Sequence, residues 1–188
     1  MKILGNGLVP EAVSVAAFKA AVPMADVPEF NTGIAAQLRA ATETVEAATH
    51  RPMGLRNVEI LPPVTAVGWC RWWFPVAPVV AVTEVAVWTA GAWLALPGTD
   101  FSLEQAFDEP QLVLGDAVRQ VYDAAAVRVR AQVGHDVVPD RLKQAVILIA
   151  HEWHLAGSGL GDAMADVRSF AAHALIRQVR YIRPSVVA

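Results

Sequence analysis

Proline spacing separates this sequence into regions that must fold differently. Between Asn57 and Leu114 the chain is rich in Val, Trp and Thr, and prolines recur at Pro62, Pro63, Pro75, Pro78, Pro97 and Pro110. Proline removes a backbone donor and breaks a helix interior, but it is tolerated at the ends and edges of strands. The middle of the chain is therefore predicted to form short strands joined by turns.

Four stretches in or next to this region have strand character. Val79 to Trp88 is rich in β-branched residues and is followed by a turn and a return strand, Trp93 to Leu96. Leu112 to Leu114 predicts another strand. In Ala126 to Val133, apolar and polar residues alternate, which is typical of a strand with one buried face. We expect a small antiparallel sheet, or long hairpins, over about residues 57–133.

Apolar residues return to helical spacing on both sides of the β region. Ser14 is expected to cap a short helix over about residues 14–21. Longer helices are predicted over about 31–49 and 139–155, and a last one from about Asp162 to Val179. The second helix carries one apolar stripe with the 3, 4, 3 spacing of a buried face; its members are Ile34, Leu38, Ala41, Val45 and Ala48.

These patterns predict an α+β fold that is mainly helical. A small helical bundle would contain an inserted antiparallel β-hairpin or sheet region, followed by a C-terminal helix with an extended tail. Residues 1–160 are expected to form one domain, and residues 161–188 the C-terminal helix and a docking tail. The end of the chain, Arg180 to Ala188, is expected to have no partner within reach in its own chain.

Composition limits the classes of function. With 188 residues and 55% apolar residues the chain can bury a core, and intrinsic disorder of the whole chain is excluded. A net charge of -3 disfavours a general nucleic-acid binder, and the lone Cys70 excludes an internal disulfide and fits a reducing compartment. No apolar run approaches the roughly 18 residues that span a bilayer, so neither a membrane segment nor a secretory signal is expected.

No motif supports catalysis or cofactor binding. His151 and His154 flank Glu152, but they are three residues apart rather than the four of a zincin, and a third ligand is missing. We interpret them as polar residues at the end of a buried helix. The glycine-rich stretch Gly157–Gly161 lacks the Lys-Ser/Thr of a phosphate loop, and no Gly-x-Ser-x-Gly motif occurs. An acidic loop between strands accounts for Asp100, Glu104, Asp108 and Glu109. No enzyme activity, metal or cofactor is predicted.

Aromatic residues cluster before the first predicted strand. Five of the six tryptophans lie between Trp69 and Trp93, and Trp69, Trp72, Trp73 and Phe74 fall within six positions. On a strand these side chains would point to both faces. They either pack a sheet against helices or form a protein–protein surface, for which tryptophan is a preferred anchor. Stacking on a sugar is a third possibility.

The C-terminal stretch is locally basic, with Arg168, Arg177, Arg180 and Arg183 opposed only by Asp166. It also contains apolar residues, such as Tyr181 and Ile182. Two interpretations stay open: a solvated helix end, or a tail that docks in a partner's groove.

Four segments together resemble the head–tail connector (adaptor) family of long-tailed phages and gene transfer agents. Ala35 to Arg51 resembles the family's second helix, with His50 where glycine is usual. Pro75 to Val85 resembles its proline-then-Val-Thr-x-Val strand, and Ala126 to Gly134 its Val-Arg-Val strand. Val138 to Trp153 matches its Val-Pro-x-x-Leu-x-x-Ala pattern with a later Trp or Tyr. The order and spacing of the four carry the resemblance.

The resemblance implies a structural role without catalysis. Such adaptors form a ring, usually of twelve copies, beneath the portal; the ring extends the DNA channel and is a platform for the stopper or tail. The implied partners are the portal protein, neighbouring copies of the chain, and a stopper or tail protein. DNA would pass through the channel without sequence-specific binding, and no membrane is involved. The protein would be cytoplasmic during assembly and then lie at the head–tail joint of the particle.

Two sets of contact residues follow as hypotheses. The portal-binding set is Leu175, Arg177, Gln178, Val179, Arg180, Tyr181, Ile182 and Arg183. The set for contact with a neighbouring subunit or the next ring is Trp69, Trp72, Trp73 and Phe74. The alternatives for function are another virion joining protein, such as a stopper or tail terminator, or a domain that binds a small ligand.

Overall fold

A computed structural model describes residues 1–4, 9–23, 27–63, 71–115, 124–155 and 170–184. The chain divides into two compact units. We call Met1–Leu8, Leu55–Gly134 and Ile182–Ala188 the sheet unit, and Val9–Gly54 with His135–Tyr181 the helix unit. Within the described part of the chain, no helix has the length and apolar character needed to cross a membrane.

The helix unit has its helices where the apolar spacing predicted them. They are α1 (Val15–Ala21), α2 (Asn31–Thr49), α3 (Asp140–Leu155) and α4 (Phe170–Val179), with a short 3-10 helix at Pro28–Phe30. Packing of α2 on α3 and of α3 on α4 forms the centre of the unit. The start of the last predicted helix, residues 162–169, lies outside the described residues.

Local chemistry explains where these helices begin and end. The hydroxyl of Ser14 accepts a hydrogen bond from the N–H of Ala17 at 3.2 Å and so caps α1. Helix α2 ends because His50 adopts a left-handed conformation with φ of 55°. Four of the five residues of the predicted stripe are buried in the core of the unit, namely Ile34, Leu38, Ala41 and Val45, and Ala48 is partly buried against it.

The sheet unit contains eight strands among the described residues. They are β1 (Lys2–Ile3), β2 (Arg56–Ile60), β3 (Arg71–Trp73), β4 (Val79–Thr89), β5 (Ala92–Ala95), β6 (Phe101–Ala106), β7 (Glu109–Leu114) and β8 (Ala126–Val133). All described pairings are antiparallel. One sheet has the order β1-β2-β8-β4-β5, and the other has the order β3-β7-β6.

Strand β8 organises the larger sheet from its centre. It pairs with β2 on one side and with β4 on the other. Val127, Val129, Ala131 and Val133 are buried, and the intervening Arg128 and Arg130 lie on the opposite face. The predicted alternation of this strand is therefore confirmed, and it sets which face of the sheet is covered.

The smaller sheet is the part that the sequence did not reveal. Trp72 of β3 pairs with Leu112 of β7, and Leu103 of β6 pairs with the same Leu112 from the other side. Trp72 and Leu112 join the same core cluster as the buried valines of the larger sheet. Both sheets thus contribute to one core.

The structure corrects the predicted fold class. A mainly helical bundle with an inserted hairpin or sheet region is wrong, because the described residues form two antiparallel sheets with a hydrophobic core of their own. Strands such as β6, with the sequence Phe-Ser-Leu-Glu-Gln-Ala, carry too weak a pattern to be recognised alone. The predicted domain boundary at residue 160 lies outside the described residues, so that division stays a prediction.

Candidate assembly surfaces

Two side chains of the tryptophan-rich segment, those of Trp72 and Phe74, lie in the core of the sheet unit. Trp72 is 4% exposed and Phe74 is fully buried, and their ring centroids lie 4.7 Å apart. Trp73 is partly buried, and Trp69 lies outside the described residues. For Trp72 and Phe74 the core interpretation holds, because their rings have almost no surface left for a second molecule. A contact role for the segment as a whole stays a prediction.

A second aromatic group lies on the polar face of the larger sheet. Trp88 and Trp93 face each other across the β4–β5 hairpin with ring centroids 5.3 Å apart, edge to face. The guanidinium of Arg128 lies 4.6 Å from the centroid of the Trp93 ring. This is a cation–π arrangement, and it ties the hairpin to β8.

Ion pairs extend across the same face of the sheet. Glu84 accepts from Arg128 at 2.6 Å and from Arg130 at 3.0 Å. Arg130 also donates to Glu59 at 3.1 Å, so that three neighbouring strands, β2, β8 and β4, are joined. The charges of the two carboxylates and the two guanidinium groups cancel, and all four side chains are partly buried. The face is therefore close to neutral, and its charges are already paired within the chain.

The predicted portal-binding residues fall into two groups by exposure. On α4, Ala172 and Ile176 are buried in the helix unit, and Leu175 and Val179 are partly buried. The exposed members of the predicted set are Arg177, Gln178, Arg180, Ile182 and Arg183. Arg177, Gln178 and Arg180 belong to the helix unit, and Ile182, which is 75% exposed, and Arg183 belong to the sheet unit.

The beginning of the tail is attached to the helix unit. The N–H of Tyr181 donates to the carbonyl of Thr49 at 2.8 Å, and Nε of Arg51 donates to the carbonyl of Val179. The Tyr181 side chain is buried. Within the sheet unit, the guanidinium of Arg183 lies 5.5 Å from the centroid of Trp72. The expectation of a tail without partners in its own chain is therefore wrong as far as Arg183.

The two histidines of α3 do not form part of a metal centre in the described structure. His151 and His154 are both partly buried near the end of the helix. Among the described residues, no group of three or more His, Cys, Asp or Glu side chains is placed to hold a metal ion.

One surface feature was missed by the sequence analysis. Strands β6 and β7 form a hairpin whose two-residue turn is Phe107–Asp108, and the Phe107 side chain is 97% exposed. The residues of the predicted acidic loop lie in this hairpin, apart from Asp100, which directly precedes it. Glu104 of β6 forms an ion pair with Arg71 of β3 at 2.8 Å. Phe-Asp is not a favoured hairpin turn pair, and the flanking strands alternate only weakly in polarity, so no local signal marked this turn.

Comparison with solved structures finds the same fold in particles of the gene transfer agent (GTA) type. A chain in the neck of an empty GTA particle, computed with C6 symmetry, has a TM-score of 0.71 and 23% identity. A chain in the virion of a native GTA particle has a TM-score of 0.73 and 23% identity. A chain in the neck of the native particle, computed with C12 symmetry, has a TM-score of 0.69 and 22% identity.

Each alignment covers 99% of this chain and 98% of the other chain. The chain has the fold of a gene transfer agent neck protein. At the level of the fold, this likeness confirms the resemblance to head–tail connectors. No protein-family model matches the sequence, and no curated protein matches it.

Proposed function

We propose that this protein is a structural adaptor at the head–tail joint of a phage-like particle. The observation that carries the proposal is the match of the whole fold, over 99% of the chain, to chains in GTA necks. The chain would form a ring beneath the portal, extend the DNA channel and support the stopper or tail. It would act by binding other proteins rather than by catalysis.

We further propose a ring of twelve copies. One of the neck structures with this fold was computed with C12 symmetry, which is compatible with that number. A closed ring requires a heterologous interface, in which one patch of a copy meets a different patch of the next copy. Each contact can be weak, because a portal that already holds one copy raises the effective concentration of the next.

The C-terminal segment Leu175–Arg183 is proposed to dock on the portal. Its exposed residues combine positive charge with the apolar side chain of Ile182, which suits a groove with an acidic rim. Tyr181 is already held on the helix unit, and so its role would be to position the exposed residues on either side of it. DNA would pass through the ring without sequence-specific contacts.

The first test is the mass of the protein, measured by light scattering, alone and after mixing with the portal from the same particle. A small species that adds the mass of a ring to the portal is the expected result. Absence of any binding to the portal, or a mass gain far below that of a ring, would contradict the adaptor function.

The docking segment is tested by a double substitution, Arg180→Glu with Ile182→Asp. Deleting every residue after Val179 is a coarser version, because it also removes the buried Tyr181. We expect the double variant to keep its melting temperature and to bind the portal at least about tenfold more weakly, since charge and apolar contact are both lost. Arg39→Glu, at an exposed position of α2, is the matched control. Unchanged portal binding by the double variant would refute docking through this segment.

A further inference from the structure

Two features of the tip of the β6–β7 hairpin raise the free energy of the isolated folded chain. Phe107 is 97% exposed, which is the largest exposure among the large apolar side chains in the described structure. It also has a positive φ of 54°, and the following Asp108 has φ of 63°. A bulky residue with positive φ is uncommon, because its Cβ is crowded against the backbone.

The β4–β5 hairpin makes the same kind of turn without a large exposed side chain. Its two turn residues, Ala90 and Gly91, have φ of 51° and 82°, in the same left-handed region. Gly91 adopts such an angle without strain, and Ala90 shares the crowding of its Cβ with Phe107 but exposes no ring. The β6–β7 turn therefore differs from its counterpart by a large exposed ring that the turn geometry does not require.

Strain and apolar exposure at one position point to binding rather than to folding. A ring at the end of a narrow hairpin can enter a recess that a flat surface cannot reach. From Phe101 to Leu114 the hairpin has no basic residue; Glu104 is already paired with Arg71, and Glu109 directly follows the turn. The surface that receives the tip should therefore be apolar with a basic rim.

Helix α4 of the same chain carries a surface of this kind. Phe170 is 90% exposed, and Arg177, seven residues later, is exposed on the same side of the helix. The opposite side, with Ala172 and Ile176, is buried in the helix unit. An aromatic ring and a guanidinium group two turns apart complement a hairpin that carries Phe107 at its turn and Glu109 directly after it.

We propose that Phe107 is the anchor by which one copy of this chain binds the next copy, with the hairpin tip seated against the α4 surface of its neighbour. This inference rests on the proposed ring, since a protrusion and a different receiving patch on one chain make a heterologous contact that a ring can close. The hairpin is not part of the segment proposed to dock on the portal. The test therefore alters the hairpin alone.

Phe107→Asn separates binding from folding. Asparagine tolerates positive φ at this turn position, so the variant should keep or raise its melting temperature by about 1–3 °C. Self-association of the full chain, measured by sedimentation over a wide concentration range, should weaken at least about tenfold, as expected for loss of an aromatic anchor. Ala90→Asn places asparagine at the equivalent turn position of the β4–β5 hairpin and should leave self-association unchanged.

A photo-reactive phenylalanine analogue at position 107 identifies what the tip contacts. In the self-associated chain and in the portal complex, we expect a cross-link to residues of α4 in a second copy. Equal self-association by wild type and Phe107→Asn, compared both for the chain alone and on the portal, or a cross-link to the portal instead, would each overturn the inference. A wild type that self-associates through Phe107 but does not bind the portal would refute the adaptor function and leave this contact standing.

Discussion

The helix unit and the sheet unit reach stability by different routes. In the helix unit, fully buried alanines on three helices, Ala41, Ala145, Ala150 and Ala172, lie beside larger buried side chains. Alanine at helix contacts lets backbones approach closely. In the sheet unit, Phe74, Leu112 and a series of valines fill the core, and ion pairs join the strands on the polar face.

This difference teaches where each unit tolerates change. The helix unit has little room for added volume at its alanines, whereas the sheet unit also relies on ion pairs between strands that lie far apart in the sequence. Features suited to assembly lie outside both cores, at the hairpin tip and along the exposed side of α4 and the tail. Substitutions in the cores should therefore change stability, and substitutions at those features should change binding.

The largest effect is expected from Phe74→Ala in the sheet unit. The ring is fully buried and packs against Trp72, so the variant should lose about 3–5 kcal/mol of unfolding free energy through lost burial and a residual cavity. Denaturant unfolding measures the loss. Phe107→Ala is the matched control and should change stability by less than about 1 kcal/mol, because its ring is exposed. Similar losses for both variants would mean that Phe74 is not a core residue.

An intermediate effect is expected from Ala145→Leu in the helix unit. Ala145 is fully buried on α3, which packs against α2, so the added methyl groups should cost about 1–3 kcal/mol through overpacking. Gln144→Leu adds a similar apolar side chain at the preceding, exposed position and should be nearly neutral. Thermal and denaturant unfolding compare the two. A stabilised Ala145→Leu protein would show that the centre of the helix unit has unfilled space.

The smallest effect concerns the ion pairs of the sheet face. Glu84→Gln removes a carboxylate that two guanidinium groups share, and we expect a loss of about 1–2 kcal/mol that shrinks as salt is added. Glu104→Gln is the control, because its pair with Arg71 is about half exposed and should contribute less than about 1 kcal/mol. Equal losses in the two variants, measured at low and high salt, would argue against a special role for the shared carboxylate.

Sequence reasoning located the helices and the strongest strands, but it underestimated the share of the chain that forms strands. The stripe of α2 and the alternation of β8 repeat over many residues, and so their patterns stood out. Strands β3, β6 and β7 are short and gain their pairing from residues distant in the chain. Their existence as a second sheet could not be inferred from local spacing.

The candidate assembly residues show the same limit. Basic charge near Arg177 and Arg180 was visible in the sequence, but the attachment of Tyr181 to Thr49 was not. The tryptophan cluster was open to three interpretations, and the burial of Trp72 and Phe74 became visible only in the structure. Phe107 attracted no attention, because a single phenylalanine beside an acidic residue resembles any half-buried strand position.

The sequence by itself determined the helix positions, the main hairpin, the alternation of β8 and the resemblance to head–tail connectors. The helices, the hairpin and the alternation depend on periodicity and on turn residues, which act over a few neighbours along the chain, and the resemblance rests on four segments that match the family in order. Tertiary structure alone decided that the strands form two sheets, that Trp72 and Phe74 are buried, and that the tail is held as far as Arg183. Those outcomes arise from contacts between residues far apart in the chain, whose burial and register are set only when the whole unit folds.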